Sequence, residues 1–452
     1  MSSLRKWFSQ PVSVLWRTAL VRLPRAVPIS TLKYTSPEGP HPFIYNLPSR
    51  SPREYSIPLY IFIPTSIIDR SPADDAPVPV LVDFHGGGFY LGSCLEQAPF
   101  CAQLARQMDC VVISVDYRMG PFHRFPAAIE DGEDVLKALL DQDANGYAEL
   151  RSVIAMRIGR ARAEGRQKME QEAQKQAEQL AEGKIEQVVA PAKDPNQAQP
   201  ESGSGSADDA VQDVRFDFDR KRVAISGFSS GGNLALNLAL HLEPPELDRP
   251  WPTVFGKDYE APISVLLFYP SLDLRQLPSE RTKPENMPVG STFWGQVSDL
   301  LAPTYVPRDE AHHPRASPGL ASIDAIHPQA KIFLVLAELD SLSEQSKAWV
   351  AKIEDHKNKT DDVVIEEVKG VKHGWTQMPN SWLTAEERLL KQACFEKARA
   401  FTEWAWGGSR PGEGRPVSGV SHPPTRTPAP QPGQGEGGGD KIDLGSASLE
   451  ER

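Results

Sequence analysis

Residues 223–234 read Val-Ala-Ile-Ser-Gly-Phe-Ser-Ser-Gly-Gly-Asn-Leu, and this stretch decides the fold. Its apolar beginning predicts a buried strand, and the apolar residues that follow its end predict a helix. Between them Gly227, Ser229 and Gly231 have the G-x-S-x-G spacing of a sharp strand-to-helix turn, where a Cβ at either glycine would clash with neighbouring backbone. In this register Ser229 is the nucleophile, and Ser230 presents a backbone N–H beside it at the positive end of the helix.

A second motif, His85-Gly86-Gly87-Gly88, follows the predicted strand 78–84. Consecutive glycines expose backbone N–H groups, which stabilise negative charge that develops on a carbonyl oxygen. We therefore expect Gly86, Gly87, Gly88 and Ser230 to form an oxyanion hole, and His85 to hold the loop rather than act as the base. A phosphate-binding loop is the alternative, but no Lys-Ser/Thr pair and no G-x-G-x-x-G pattern accompanies these glycines.

A serine nucleophile needs a base, and the base needs a carboxylate that orients it. The expected chain order is serine, acid, histidine. Asp340 ends an apolar run that predicts a strand, and His373 lies beside a glycine just after the strand-like run 363–368. We predict these two residues as acid and base. Other acids and histidines fit the order or context less well: Glu338, Glu344, His312, His313, His327, His356 and His422.

Short apolar runs alternate with helical patterns along most of the chain. The predicted strands are 59–63, 78–84, 111–116, 223–226, 264–269 and 332–337, and the predicted helices are 94–108, 127–141, 231–242 and 343–356. Short, nearly continuous apolar strands are typical of parallel sheets that are buried on both faces. The sequence therefore predicts an α/β fold with a mostly parallel central sheet and helices on both faces.

Two segments interrupt this alternation, so the α/β domain is predicted in two parts, 57–146 and 213–406. Residues 147–212 combine a highly charged helical stretch with a Pro-, Gly- and Ser-rich stretch, and we expect them to project as an insertion. This insertion is a candidate site for a protein partner, although it lacks the sustained apolar heptads of a coiled coil. Residues 407–452 are rich in Gly, Pro and Ser and predict a disordered tail.

The N-terminal segment, residues 1–56, is basic and amphipathic, and its first acidic residue is Glu38. Three interpretations stay open for it. It could be a transit peptide, a helix that lies on a lipid surface, or a cap over the active site. A cap or an interfacial helix fits slightly better than a transit peptide.

Composition excludes several classes of protein. The 452 residues carry a net charge of −11, which disfavours nucleic-acid binding because phosphate contacts need a basic face. The four cysteines show no paired spacing, so neither a zinc site nor a disulfide framework is expected. Buried, reduced thiols fit a cytoplasmic location, with a mitochondrial or membrane-peripheral location as the alternative.

Several ordered motifs together carry a family resemblance. They are His85–Gly88, Asp116-Tyr-Arg-Met-Gly-Pro121, Phe125-Pro-Ala-Ala128, Gly227–Asn233, Tyr269-Pro270 with Asp273, Asp340-Ser-Leu342 and His373-Gly-Trp375. With them, roughly residues 57–140 and 213–405 resemble the hormone-sensitive-lipase-like branch of the α/β hydrolases (alpha/beta hydrolase fold-3), which includes arylacetamide-deacetylase-like and microbial esterases.

The resemblance implies an α/β-hydrolase fold with a cap formed by the N-terminus and the segment after Asp273, including Phe293 and Trp294. It also implies hydrolysis of esters with small to medium acyl groups through an acyl-enzyme, without metal or organic cofactor. Gly87, Gly88 and Ser230 would then be the oxyanion donors.

Three positions depart from the family pattern, namely Phe122, Phe228 and Ser230, and they leave the substrate class open. An amidase or arylformamidase on the same triad, or a ligand-binding or interaction protein on a hydrolase fold, are the rival interpretations.

Overall fold

The central feature of the molecule is one eight-stranded sheet with the strand order β1-β2-β4-β3-β5-β6-β7-β8. The strands are β1 Phe43–Pro48, β2 Ser56–Phe62, β3 Val78–Phe84, β4 Val111–Val115, β5 Phe218–Phe228, β6 Ile263–Phe268, β7 Ala330–Leu339 and β8 Val363–Lys372. Strands β3 to β8 run parallel to one another, and β2 runs antiparallel to both β1 and β4.

A computed structural model provides these coordinates. It describes residues 10–51, 55–71, 74, 76–181, 214–244, 247, 250–288, 290–356 and 360–409. Contacts divide the chain into two units, Met1–Pro411 and Gly412–Arg452, and the second lies wholly outside the described residues. The predicted disordered tail therefore lies outside them from residue 410 onward, as does the Pro-, Gly- and Ser-rich part of the predicted insertion.

Helices cover the sheet on both faces. They are α1 Val12–Val21, α2 Leu32–Thr35, α3 Thr65–Ile68, α4 Cys94–Met108, α5 Ala127–Leu140, α6 Tyr147–Ala181, α7 Ser230–Leu238, α8 Thr292–Leu301, α9 Ser343–Glu354 and α10 Ala385–Ala405. Successive strand residues point to opposite faces. Val80 and Val82 join the core beneath α5, α6, α7 and α9, whereas Leu81 joins the core beneath α4 and α10. The predicted α/β class, with a mostly parallel sheet and helices on both faces, is confirmed.

Several elements differ from the sequence prediction, and helices α8 and α10 were not predicted. The helix predicted over 231–242 ends at Leu238, because Leu240 and Leu242 form β-bridges with Ile326 and Trp251 instead of continuing the helix. Strand β1 was not predicted. It lies inside the segment 1–56 and pairs with β2, so that segment contributes an edge strand as well as helices.

Helix α6 begins at Tyr147, ten residues before the start of the charged stretch at residue 157 from which the helix was predicted. Leu150, Ile154 and Ile158 recur at helical spacing and are buried in the main core, whereas residues 164–179 are exposed. The boundary predicted at residue 147 therefore falls at the start of a core helix. Only the later turns extend away from core contacts.

The two segments predicted to form a cap contact each other. Val14 and Val21 of α1 pack with Val297 and Leu301 of α8 and with Tyr90 in a small separate cluster. Phe293 and Trp294, both predicted in the cap, are exposed, and the Phe293 ring stacks on Trp16 with 6.4 Å between ring centroids. Within the described part of the chain, no helix is long and apolar enough to cross a membrane.

Candidate active site

The predicted nucleophile elbow is present between β5 and α7. Ser229 has φ 54° and ψ −113°, a conformation that a non-glycine residue adopts only when its surroundings hold it there. A Cβ on Gly227 would overlap the carbonyl of Gly231, and a Cβ on Gly231 would overlap the carbonyl of Phe84. The two glycines therefore let β5, α7 and β3 approach closely enough to fix the strained turn.

Ser229, His373 and Asp340 form a continuous chain of hydrogen bonds. The Ser229 Oγ lies 3.0 Å from His373 Nε2, and His373 Nδ1 lies 2.7 Å from Asp340 Oδ2. The other carboxylate oxygen of Asp340 accepts a 2.9 Å hydrogen bond from the N–H of Leu342. Asp340 is buried and His373 is partly exposed, so the carboxylate is shielded while the ring reaches the cavity.

Parallel strands bring this chain together. Asp340 follows β7 and His373 follows β8, and Leu339 and Lys372 are paired in the sheet immediately before them. Ser229 follows β5 at the same carboxyl edge. The ring of Tyr269, which follows β6, lies 5.0 Å from the His373 ring and restricts its position. Each of the four residues thus comes from the end of a different neighbouring strand.

The glycine loop faces the same place. Gly87 and Gly88 line the cavity together with Ser229. The N–H groups of Gly87, Gly88 and Ser230 donate no hydrogen bond to any acceptor in the described part of the chain. Gly86 lies behind them, where a Cβ would meet the Gln377 side chain and the carbonyl of Phe228. Gly87, Gly88 and Ser230 thus keep free N–H groups next to Ser229 or along the same cavity wall, and their role as oxyanion donors stays a prediction.

Buried polar groups support the glycine loop from behind. His85 is fully buried, and its Nδ1 donates a 2.7 Å hydrogen bond to the Gly86 carbonyl. Its Nε2 lies 3.7 Å from Asp116, a carboxylate that also binds Arg25 at 2.5 Å. Burial alone would raise the pKa of Asp116, but the neighbouring His85 and Arg25 lower it. Tyr117 donates a 2.8 Å hydrogen bond to the His85 carbonyl. His85 is thus placed to hold the loop.

Cations of the N-terminal segment reach the same loop. Arg22 donates to the carbonyls of Tyr90 at 3.0 Å and Gly120 at 2.5 Å, and Arg25 donates to the carbonyl of Gly92 at 2.8 Å. The sequence showed these charges but not their partners, because the partners, mostly backbone atoms, belong to loops that are distant along the chain. These contacts fasten the N-terminal segment beside the glycine loop.

Ser229 and His373 open into a cavity of about 1060 Å³. Its walls come from five main segments, residues 24–37, 87–99, 274–308, 340–342 and 373–391. Both segments predicted to form the cap are therefore part of the wall.

The cavity wall includes cations that the sequence did not single out, and Lys391 and Arg281 are two of them. Burial lowers the pKa of Lys391 to about 8, and its Nζ donates a 2.9 Å hydrogen bond to the Met378 carbonyl. Burial also lowers the pKa of Arg281. No motif or spacing marks either residue, since only the packing of distant loops brings them to the cavity. Among the described residues, no cluster of His, Cys, Asp and Glu side chains is arranged to hold a metal ion.

Comparison with known proteins places the chain in a family. A family model described as alpha/beta hydrolase fold matches residues 81–377, well over half of the chain. The chain therefore belongs to the alpha/beta hydrolase fold family.

Two curated relatives match shorter segments. Carboxylesterase 20 of Arabidopsis thaliana is 34% identical over 103 residues, which is 22% of this chain and 32% of the relative. Esterase LipI of Mycobacterium tuberculosis is 50% identical over 58 residues, which is 13% of this chain and 18% of the relative. The chain thus matches a third or less of the length of these relatives.

A solved structure matches over a longer range. A hyperthermophilic esterase from the archaeon Pyrobaculum calidifontis aligns with a TM-score of 0.52 and 20% identity, covering 88% of this chain and 100% of that chain. At this identity the likeness shows the fold. It confirms the α/β-hydrolase fold predicted from the sequence.

Proposed function

We propose that the protein hydrolyses carboxylic esters with small to medium acyl groups through a covalent acyl-enzyme. The observation that carries this proposal is the hydrogen-bonded chain from Ser229 through His373 to Asp340, with Ser229 and His373 open to a cavity that also holds unpaired backbone donors. The named activities of the matched carboxylesterases and esterases support it.

The geometry supports a two-stage reaction. Ser229 Oγ attacks the ester carbonyl carbon while His373 Nε2 takes its proton, and Asp340 stabilises the resulting imidazolium. The carbonyl oxygen becomes negative and accepts hydrogen bonds from the N–H groups of Gly87, Gly88 and Ser230. As the tetrahedral intermediate collapses, His373 gives its proton to the departing alcohol. Water, activated by His373, then releases the acid and restores the serine.

Hydrolysis of 4-nitrophenyl esters of graded acyl length tests the proposal. We expect the rate to peak at a short or medium chain and to fall at least about 10³-fold in Ser229→Ala, because the nucleophile is lost. Circular dichroism of the variant controls for folding. A folded Ser229→Ala protein with unchanged activity would overturn the assignment of Ser229.

A matched ester and amide separate the proposed activity from the rival amidase or arylformamidase activity. The same acyl group presented as a 4-nitrophenyl ester and as a 4-nitroanilide should give the larger kcat/KM with the ester. A larger value with the anilide would favour an amidase. Specific binding of a ligand without turnover of either compound would favour the binding-protein interpretation.

The sequence also predicts a location and partners for the protein. We propose a cytoplasmic location, supported by four free and buried cysteines. A lipid surface is a candidate partner of the cap, supported by the exposed rings of Trp16, Phe293 and Trp294. A protein partner is a candidate for the exposed turns of α6.

A further inference from the structure

Arg281 is a cation of the active-site cavity that has no hydrogen-bond or ion-pair partner among the residues that the structure describes. It lies in the cap segment after Asp273 and lines the same cavity as Ser229 and His373. Its Nε is shielded from solvent and donates no hydrogen bond. Within the described part of the chain, no hydrogen bond or ion pair reaches its guanidinium group.

The carboxylates that interact electrostatically with Arg281 already accept hydrogen bonds from other groups. Asp340, Asp299 and Asp273 all influence its pKa, but none lies within ion-pair distance of it. Asp340 binds His373 at 2.7 Å, Asp299 accepts a 3.0 Å hydrogen bond from the N–H of Ser279, and Asp273 binds Arg275 at 2.7 Å. Among the described residues, these carboxylates therefore supply no acceptor to Arg281.

Other cations in and near the cavity differ in this respect. Arg308, which also lines the cavity, forms a 2.8 Å ion pair with Glu280, and Lys391 donates to a carbonyl. Arg118, a buried arginine elsewhere in the domain, forms a 2.8 Å ion pair with Asp131. Arg281 stands apart from them because its donors are free and lie at the substrate cavity.

A partly buried guanidinium without an acceptor is unfavourable, because it has lost part of its hydration and gained no hydrogen bond. A carboxylate satisfies it best, since two parallel N–H groups can donate to the two oxygens. We propose that Arg281 binds a carboxylate of the substrate, so that the preferred substrates are esters that also carry an acidic group. This inference rests on the proposed function and names a substrate class for the same site.

Paired substrates test whether a carboxylate is recognised. On the acyl side, the mono-4-nitrophenyl esters of succinic, glutaric and adipic acid are compared with the neutral butyrate, valerate and hexanoate esters. On the alcohol side, butyrate esters of 3- and 4-hydroxybenzoic acid are compared with phenyl butyrate. We expect wild type to prefer the acidic member of at least one pair in kcat/KM. In Arg281→Gln this preference should fall about ten-fold, mainly through KM, as expected for loss of a charged hydrogen bond.

Lys283→Gln is the matched control. Lys283 lies on the same segment, is exposed and does not line the cavity, so its substitution makes the same change in net charge without touching the site. The preference should persist in Lys283→Gln. If both variants lose the preference for the acidic substrate equally, the effect comes from net charge and the assignment of Arg281 is wrong. An unchanged preference in Arg281→Gln would also overturn it.

A binding measurement keeps this test independent of turnover. Calorimetry with Ser229→Ala compares glutaric acid monoanilide with the neutral valeranilide, and repeats both with Ser229→Ala/Arg281→Gln. Tighter binding of the acidic anilide, lost in the double variant, supports the carboxylate site even if no ester is hydrolysed. Equal binding of both anilides contradicts it, while hydrolysis of neutral esters would leave the proposed function intact.

Discussion

Asp83 places a carboxylate in the centre of the sheet, within β3, the strand that leads to the glycine loop. The side chain is fully buried, and no Lys or Arg in the described part of the chain forms an ion pair with it. It accepts hydrogen bonds from Ser226 at 2.7 Å, Ser114 at 2.9 Å and Cys101 at 3.4 Å. Burial raises the pKa of Asp83 to about 6 despite these three donors. The carboxylate is thus held by hydroxyl and thiol groups alone.

Because the pKa of Asp83 is raised, the free energy of unfolding should fall as the pH rises. The folded pKa of about 6 lies above the ordinary value of 3.8, so the folded state binds a proton that the unfolded state releases. Asp83 therefore favours the folded state most at low pH, and this contribution is lost as pH rises through 6. From the difference in pKa, the loss between pH 4 and pH 7.5 is on the order of 3 kcal/mol.

Asp83→Asn removes this titration. Relative to wild type, the variant should be more stable at pH 7.5 than at pH 4.5, because its amide carries no proton that titrates in this range. Urea unfolding gives the free energy of unfolding of both proteins at each pH. The effect is the change, between the two pH values, in the difference between variant and wild type. An identical difference at both pH values would contradict the assignment of this proton to Asp83.

The place of a residue in the site could be predicted only where the neighbouring sequence has a recognisable strand and turn pattern. Ser229, Asp340 and His373 each follow a strand-like run beside a turn, so their positions at one sheet edge could be inferred. Arg281 sits in a loop without periodicity, and only tertiary packing shows that it reaches the cavity. Asp83 lies within a continuous apolar run, and its partners come from three separate elements.

Among the helices, α6 divides into a buried beginning and an exposed remainder. We expect Ile154→Ala, at a fully buried position, to lower the free energy of unfolding by about 2–4 kcal/mol through loss of packing and formation of a cavity. Met169→Ala, on an exposed turn of the same helix, should change it by less than about 0.5 kcal/mol. Chemical unfolding of both variants measures the contrast. Equal effects would mean that the beginning of α6 is not part of the core.

The cap helices present an aromatic surface that suits a lipid interface. Trp16, Phe293 and Trp294 are exposed, and the guanidinium of Arg17 lies 4.3 Å from the centre of the Trp16 ring. Tryptophan and basic side chains favour the boundary of an anionic membrane. We therefore expect the protein to sediment with phosphatidylserine-containing vesicles.

Trp294→Ser should weaken this vesicle binding several-fold. Leu389→Ser, which removes another exposed apolar side chain on the distant helix α10, is the control and should leave binding unchanged. Equal binding by wild type and Trp294→Ser would exclude this face of the cap as the contact surface.

Element boundaries were predicted less well than element types. Helix α4 matched its predicted range, because an apolar pattern and a turn at each end mark it. The beginning of α6 was missed because Leu150, Ile154 and Ile158 are diluted by charged neighbours. Strand β1 was missed because it lies at the sheet edge, where only Leu47 is fully buried and the apolar pattern is correspondingly weak.

On the scale of the whole molecule, all four cysteines are buried and free. Burial raises the pKa of Cys94, Cys101, Cys110 and Cys394, so the reactive thiolate is disfavoured at each position. We expect almost no reaction of the native protein with a thiol reagent such as DTNB, and four reacting thiols after unfolding. Fewer than four thiols in the unfolded, unreduced protein would indicate a disulfide and contradict the proposed reducing compartment.

The hydrogen bond between Ser229 and His373 joins positions 144 residues apart, and His373 follows the last strand of the sheet. A polypeptide leaves the ribosome from its N-terminus, and the elbow is therefore made long before the base that activates it. A nascent chain that has reached α7 already carries the nucleophile and the glycine loop, but its serine has no proton acceptor. In the proposed mechanism, hydrolysis therefore begins only once β8 has been translated and His373 has reached Ser229.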